Sequence, residues 1–255
     1  MNKSGKAEHK PMKISEYIKA ERDKIKGKSW KERLAYFWDY YKWYVLIAVV
    51  ALALLTHTVT TSLNKKEVVL KGILIDGIGT VEEPAVLQTF FDSAGINPEK
   101  QEVYLNTGLA LNSGIPSIVT TSYQRIHAGI GAADTDFLMG YEYAIQRFAY
   151  DTSHVFADLR DILSPEILAE QEEYLYYIDA AVIEKIKNEP QKEIPLPDPK
   201  KPEEMEQPVP VAVDISACGE FTSVYYTPDT AVYIAVVTNA PHKELVAQFI
   251  EFLLF

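Results

Sequence analysis

The run Trp43-Tyr44-Val45-Leu46-Ile47-Ala48-Val49-Val50-Ala51-Leu52-Ala53-Leu54-Leu55, with its threonine-rich continuation to Leu63, is 21 residues long and holds no formal charge. The hydrocarbon core of a bilayer is about 30 Å thick, and a helix of about 20 residues spans it. Thr56 to Thr61 dilute the run with hydroxyls that can bond back to the preceding turn's carbonyls, and His57 falls near the far interface. The segment divides the chain into an arm (residues 1–42), a transmembrane helix (43–63) and a 192-residue domain (64–255).

The flanks orient it. The twenty residues before the span hold six Lys/Arg (Lys24, Lys26, Lys28, Lys31, Arg33, Lys42), against three in the twenty after it (Lys65, Lys66, Lys71). The positive-inside rule therefore places the N-terminus in the cytoplasm and the C-terminal domain outside the cell membrane. All three tryptophans, Trp30, Trp38 and Trp43, sit at or before the start of the span, among Tyr36, Phe37, Tyr40, Tyr41 and Tyr44. Such rings pair an apolar body with a polar edge and suit headgroup depth. A cleaved signal peptide would need a short basic region and a small-x-small site after the apolar core. The 42-residue arm and the sequence Thr56 to Ser62 meet neither condition, which favours an uncleaved anchor.

Within the arm, Met12, Ile14, Tyr17, Ile18 and Ile25 recur at loose helical spacing until Gly27 interrupts. Ser29 followed by Glu32 predicts a capping box, in which each side chain satisfies a backbone N–H of a new helix. From Trp30 onward, Leu34, Phe37, Trp38 and Tyr41 fall on one helical face. The pattern predicts a basic amphipathic helix on the anionic inner leaflet, or else a solvated arm that only sets topology.

Charge is unevenly spread. The arm holds twelve Lys/Arg against six Asp/Glu, and residues 64–255 hold thirteen against thirty, a net charge of −17. A domain of that sign is repelled by nucleic acid and anionic lipid, so no nucleic-acid partner is expected. Cys218 is the lone cysteine, which excludes an intrachain disulfide and fits a bacterial envelope protein. The domain is long enough for one well-packed core and too short for two generous lobes.

Its pattern alternates. Val68 to Ile75 reads as a strand, Glu82 to Ala94 as a helix, Glu102 to Leu105 as a strand and Pro116 to Ala128 as a helix closed by Gly129 and Gly131. Asp136 to Gly140 reads as a short buried strand and Tyr141 to Tyr150 as a helix. Short helices follow over Asp158 to Leu163 and Pro165 to Tyr174. This cadence predicts an α/β fold: a doubly wound, mostly parallel sheet covered on both faces. Residues 188–210 then carry seven of the fourteen prolines and read as an extended, mobile loop. Order resumes with strands over Val211 to Ile215 and Ala231 to Val237. A final helix follows with Pro241 in its first turn and Leu245, Phe249, Phe252 and Leu253 on its apolar face.

The order of Asp136-Phe137-Leu138-Met139-Gly140-Tyr141, a helix over Glu142–Phe148 and Val155-Phe156-Ala157-Asp158-Leu159 resembles bacterial extracellular solute-binding proteins of the type 2 periplasmic fold. Val236-Val237-Thr238-Asn239, followed by Leu245 to Leu253, is similar to their returning strand and helix. The likeness covers residues 68–175 and 211–255. It implies a single lobe held by a membrane helix, because the second lobe of such proteins would lie where this chain has only residues 176–210.

Chemical signatures are sparse. Asp76-Gly77-Ile78-Gly79-Thr80 lies between a strand and a helix, but Glu82 replaces the third glycine of a dinucleotide fingerprint. Asp134 and Asp136 resemble half a calcium loop without its glycine and terminal Glu. His127, His154 and His242 are scattered without metal-ligand spacing, and Ser113 and Ser117 lack a nucleophile-elbow context. No catalytic residue, metal or cofactor is expected. In an open α/β sheet a ligand sits beyond the carboxyl ends of the strands, which nominates Asp76, Asn106, Thr107, Tyr141 and Glu142 as ligand-binding candidates. The sequence thus leads to a membrane-anchored, non-catalytic accessory protein of the bacterial envelope, partnered by an envelope protein or transporter. The alternative is a tethered receptor for a small solute, a sugar or peptide, at the strand ends.

Overall fold

A computed structural model describes residues 14–24, 26–63, 65–78, 85–218, 225 and 230–255. The chain forms two compact units, residues 1–65 and 66–255.

The first unit contains helices α1 (Ile14–Lys24) and α2 (Trp30–Leu63). The capping box closes as read: Ser29 N–H donates to Glu32 Oε2 at 2.8 Å, and Glu32 N–H reaches Ser29 Oγ at 3.5 Å. From that cap α2 runs unbroken for 34 residues. At 1.5 Å per residue its length is about 51 Å, against about 30 Å of hydrocarbon. Residues 30–42 and the apolar span are therefore one continuous helix, and no break marks the boundary expected at residue 43. Within it Tyr41–Thr61 is long and apolar enough to cross a membrane. The hydroxyls of Thr58 and Thr60 donate to the carbonyls of Leu54 at 2.8 Å and Thr56 at 2.7 Å, so these side chains satisfy themselves within the helix.

The second unit is built on one six-stranded sheet of order β2-β1-β3-β6-β5-β4. Its strands are β1 (Glu67–Leu74), β2 (Gln101–Asn106), β3 (Phe137–Tyr141), β4 (Leu175–Asp179), β5 (Pro208–Asp214) and β6 (Val232–Val236). β1 pairs with β2 and β3 in parallel, whereas β6 is antiparallel to β3 and β5, and β4 is antiparallel to β5. Four of the six strands thus share one direction, and β4 and β6 oppose them. Every residue of β6, and the first four of β3, is buried. Successive strand residues point to opposite faces, so both faces of the sheet centre are covered.

The parallel half carries the crossover helices α3 (Ala85–Ala94) and α4 (Pro116–Gly131), and α5 (Glu142–Ala149) follows β3 directly. α4 continues through Gly129 and ends at Gly131, the second of the two glycines expected to close it. Short helix α6 (Pro165–Glu170) and α7 (Ala180–Asn188) flank β4, and α8 (Lys243–Leu254) ends the chain. α8 docks through Phe249, which meets Phe90 of α3 edge-on at 4.9 Å and Phe137 of β3 at 5.4 Å. β1 comes close to this cluster at Gly72, where a Cβ atom would lie 2.1 Å from the Phe137 ring.

The proline-rich stretch departs most from expectation. Its last residues, Pro208 to Pro210, are not loop but the start of β5. The part before them is tied to β4: Tyr177 N–H donates to Pro199 O at 3.0 Å, and Met205 is buried. Residues 176–210 therefore extend the one sheet with β4, α7 and β5. Both prolines lie where β5 has only β4 as neighbour, since β6 pairs with Ala212 to Asp214. Pro208 opens the strand, and Pro210 sits beside a register shift opposite Tyr176 and Tyr177. A strand tolerates proline at both kinds of position because no ladder hydrogen bond is lost.

Candidate functional site

β1 and β3 end side by side, with Leu74 opposite Met139, and the chain that follows each turns over the sheet edge. Beyond that edge lies an open cleft of about 700 Å3. Asp76, Tyr141 and Glu142, three of the five sequence candidates, line it together. Asn112, Tyr143, Gln146 and Thr230 complete the described wall.

Asp76 is the fastener of this corner. It adopts φ +58°, a left-handed conformation that Asp tolerates better than most residues. Its Oδ1 accepts the N–H groups of Leu111 at 2.8 Å and Asn112 at 3.0 Å, and its Oδ2 accepts the hydroxyl of Tyr143. One carboxylate thus joins the end of β1, the loop after β2 and helix α5. Burial, and next the hydrogen bond to Asp76, hold the Tyr143 phenol well above its ordinary pKa, so it stays a donor.

α5 presents the remaining groups. Tyr141 stands at its N-cap, Glu142 opens its first turn, and Gln146 lies one turn further on the same face. The Tyr141 ring stacks with Tyr143 at 6.1 Å and meets Tyr225 edge-on at 5.0 Å. Tyr225 is buried and donates its hydroxyl to Met139 O at 3.0 Å, and burial raises its pKa well above the usual value. Next to this wall, β4 supplies Tyr176, which has no exposed surface. Its hydroxyl has no partner at hydrogen-bonding geometry among the described residues. Burial, and next the charge of Glu142, push that phenol up as well.

Asn106 and Thr107 are not among the described lining residues. Asn106 closes a turn after edge strand β2, accepting Gly108 N–H at 3.0 Å, and Thr107 packs beside Gly77. A smaller cleft of about 430 Å3 lies beside β4, with Glu170, Glu172, Glu173 and Glu203 around Lys200. Desolvation of the Lys200 amine lowers its pKa, against the opposing pull of Asp214 and Glu142. It donates to the carbonyls of Glu173 and Leu175, both at 3.3 Å, and sits 5.3 Å from the centre of the Tyr233 ring.

The other polar candidates are occupied elsewhere. Asp136 is fully buried, accepting Lys71 N–H at 2.8 Å, His242 N–H at 2.9 Å and a contact from His242 Nδ1 at 3.1 Å. It fastens β1 and β3 to the start of α8, while Asp134 pairs with the Lys71 amine. Gly79, Thr80 and Glu82 of the rejected dinucleotide pattern lie outside the described residues. No group of three or more His, Cys, Asp or Glu among the described residues could hold a metal ion. No protein-family model, curated protein or solved structure matches the chain.

Tyr143 and Gln146 were legible in principle, since they share the first two turns of α5 with Glu142. Asn112 and Thr230 arrive on irregular loops, whose path no periodicity describes.

Proposed function

We propose that this chain is a membrane-tethered, non-catalytic receptor of a bacterial envelope, its N-terminus in the cytoplasm and its α/β domain outside. The domain binds a small polar solute in the cleft beyond β1 and β3. The observation that carries this reading is the convergence of Asp76, Tyr141 and Glu142, from two separate strand ends, on one open cleft. Ligand sites of α/β sheets occur at that position, and a few polar groups within an aromatic wall are what such sites use. The cleft favours the receptor, the alternative reading of the sequence, over the accessory role to which the sequence first leads. The resemblance to one lobe of a type 2 solute-binding protein is supported by β6 and α8, which return beside β3 as a strand and a helix. The +6 arm, the aromatic girdle and α2 support the anchor and its orientation.

A single lobe leaves one side of its ligand in water, so affinity should fall in the millimolar to high-micromolar range, about 4–6 kcal/mol. Calorimetry of the whole protein in detergent, against pools of sugars, amino acids and oligopeptides, tests this. Binding should disappear in Tyr141→Ala and Glu142→Ala. Absence of any heat, or heat untouched by both substitutions, would overturn the receptor reading.

A further inference from the structure

The receptor reading leaves the chemical class of the solute open, and the wall of the cleft narrows it. Its ionisable groups other than tyrosine are both acids, Asp76 and Glu142, and no Lys, Arg or His is among the described lining residues. The two carboxylates are not equivalent. Asp76 is committed to Leu111, Asn112 and Tyr143. Glu142 is exposed and makes no hydrogen bond or ion pair with any described residue. Its charge is felt by the Lys200 amine and the Tyr176 phenol, neither of which is among the described lining residues, and it stands beside two stacked tyrosine rings.

Three ligand classes can be weighed on this geometry. An anion would be drawn by the N-terminus of α5, worth about half a positive charge. Glu142 stands in that same first turn with a whole charge of opposite sign, and Asp76 adds another, so an anion is repelled on balance. A neutral sugar would stack on the rings and use the Gln146 amide, but it would leave the Glu142 charge only partly desolvated and unpaired. An organic cation uses every feature at once. The carboxylate supplies the counter-charge, and the negative ring faces of Tyr141 and Tyr143 attract an ammonium group within about 6 Å of their centroids. The surrounding domain, with a net charge of −17, raises the local concentration of cations before contact.

The geometry points to an organic ammonium ion as the ligand of this cleft, paired with Glu142 and seated on the Tyr141–Tyr143 wall; the inference rests on the receptor reading above. Gln146, beside the buried Tyr176 hydroxyl, then supplies polar contacts to the rest of the molecule.

The test uses the full chain in nanodiscs of zwitterionic lipid, so that the bilayer does not itself collect cations. Ligand-observed NMR titrations compare choline with 3,3-dimethyl-1-butanol, its neutral isostere in which carbon replaces nitrogen, and with glucose. Choline should bind at least about tenfold more tightly than the isostere. Glu142→Gln should remove that advantage, lowering choline affinity to about that of the isostere, with at most a small drop in melting temperature from the lost charge at the N-terminus of α5. Tyr141→Leu should weaken choline further. Equal affinity for choline and the isostere, or indifference to Glu142→Gln, overturns the inference. Glucose binding that is lost in Tyr141→Ala, without choline binding, overturns it while the receptor reading stands. Silence of all three probes overturns it, while the receptor reading answers to the calorimetry described above.

Discussion

The carboxylate of Asp179, at the end of β4, accepts the backbone N–H of Gln207 at 2.9 Å, across most of the proline-rich segment. It also accepts Glu206 N–H at 3.0 Å and Ala181 N–H at 3.0 Å, the latter capping α7. Removing it orphans three donors in a region that excludes water, each costing about 1–3 kcal/mol if nothing replaces it. Partial hydration reduces the sum, so Asp179→Ala should lower unfolding stability by about 2–4 kcal/mol. Asp179→Asn keeps an acceptor oxygen and should lose less. Urea unfolding of both variants checks the ranking. Equal losses would mean that charge and not acceptance matters here.

The same carboxylate sets a direction for acid sensitivity. Burial pushes Asp179 up, but the N–H groups of Glu206, Gln207 and Ala181 outweigh it and hold its pKa below the ordinary value. Asp151 is likewise lowered, with burial overcome by Ser153, Tyr123 and His127. A group whose folded pKa is depressed stabilises the fold fully above its unfolded pKa, near 3.9. That contribution fades as pH falls through this value to the lower folded one. Thermal unfolding should therefore be insensitive to these two groups at pH 6 and weaken progressively below about pH 4.5. Asp179→Asn should flatten part of that decline.

Gly72 is held to its side chain, or lack of one, by Phe137. With a Cβ placed 2.1 Å from that ring, Gly72→Ala must push the ring or the strand aside. Overpacking of this kind costs about 1–3 kcal/mol. Phe137→Leu alone should also destabilise, by leaving space beside Phe249. Combining the two should cost less than the sum of the single losses, and a double-mutant cycle reads that coupling directly.

Several tyrosines of the α/β domain should resist alkali. Tyr143 and Tyr225 are held above the ordinary phenol value, chiefly by burial, and Tyr233 is pushed up to about 12 by burial and then by Asp214. A raised phenol pKa favours the neutral form in the fold, so its stabilisation persists below the unfolded pKa of about 10 and is lost as pH rises through the folded one. Phenolate absorbance between pH 10 and 11.5 should report fewer titrating tyrosines in the folded protein than in urea. Tyr143→Phe should leave the number titrating at pH 11 unchanged.

The proposed orientation has a direct check. Protease added to cells stripped of any outer barrier should degrade the α/β domain and leave α2 with the arm. A protected full-length chain would reverse the orientation, and a soluble domain released without protease would show cleavage at the anchor.

The parallel half of the fold was readable because its signals are local. Val68 to Ile75 and Asp136 to Gly140 are short apolar runs bounded by turn residues, and α8 announces itself through Leu245, Phe249 and Leu253. β4 was not readable. Leu175-Tyr176-Tyr177-Ile178-Asp179 follows directly on two short helical turns, so the change of period from helix to strand occupies too few residues to register. β5 was obscured by Pro208 and Pro210, whose tolerance depends on having a neighbour along one side only, a fact of pairing and not of composition. The cleft was half legible for the same reason. Strand ends nominate Asp76, Tyr141 and Glu142, but they also nominate Asn106 and Thr107, and only the position of β2 at the sheet edge sets those two apart.

Helix α2 leaves no hinge between its apolar span and Trp30. In the proposed topology about 20 Å of helix would extend beyond a bilayer core of about 30 Å, and it would act as a lever whose fulcrum is the membrane face on the Trp30 side. Transmembrane helices tilt by about 20° on average, and a change of that size would carry the Trp30 end sideways by about 7 Å. In that topology, whatever shifts the inclination of the span would reach the Trp30 end as displacement, with no break within α2 to absorb it.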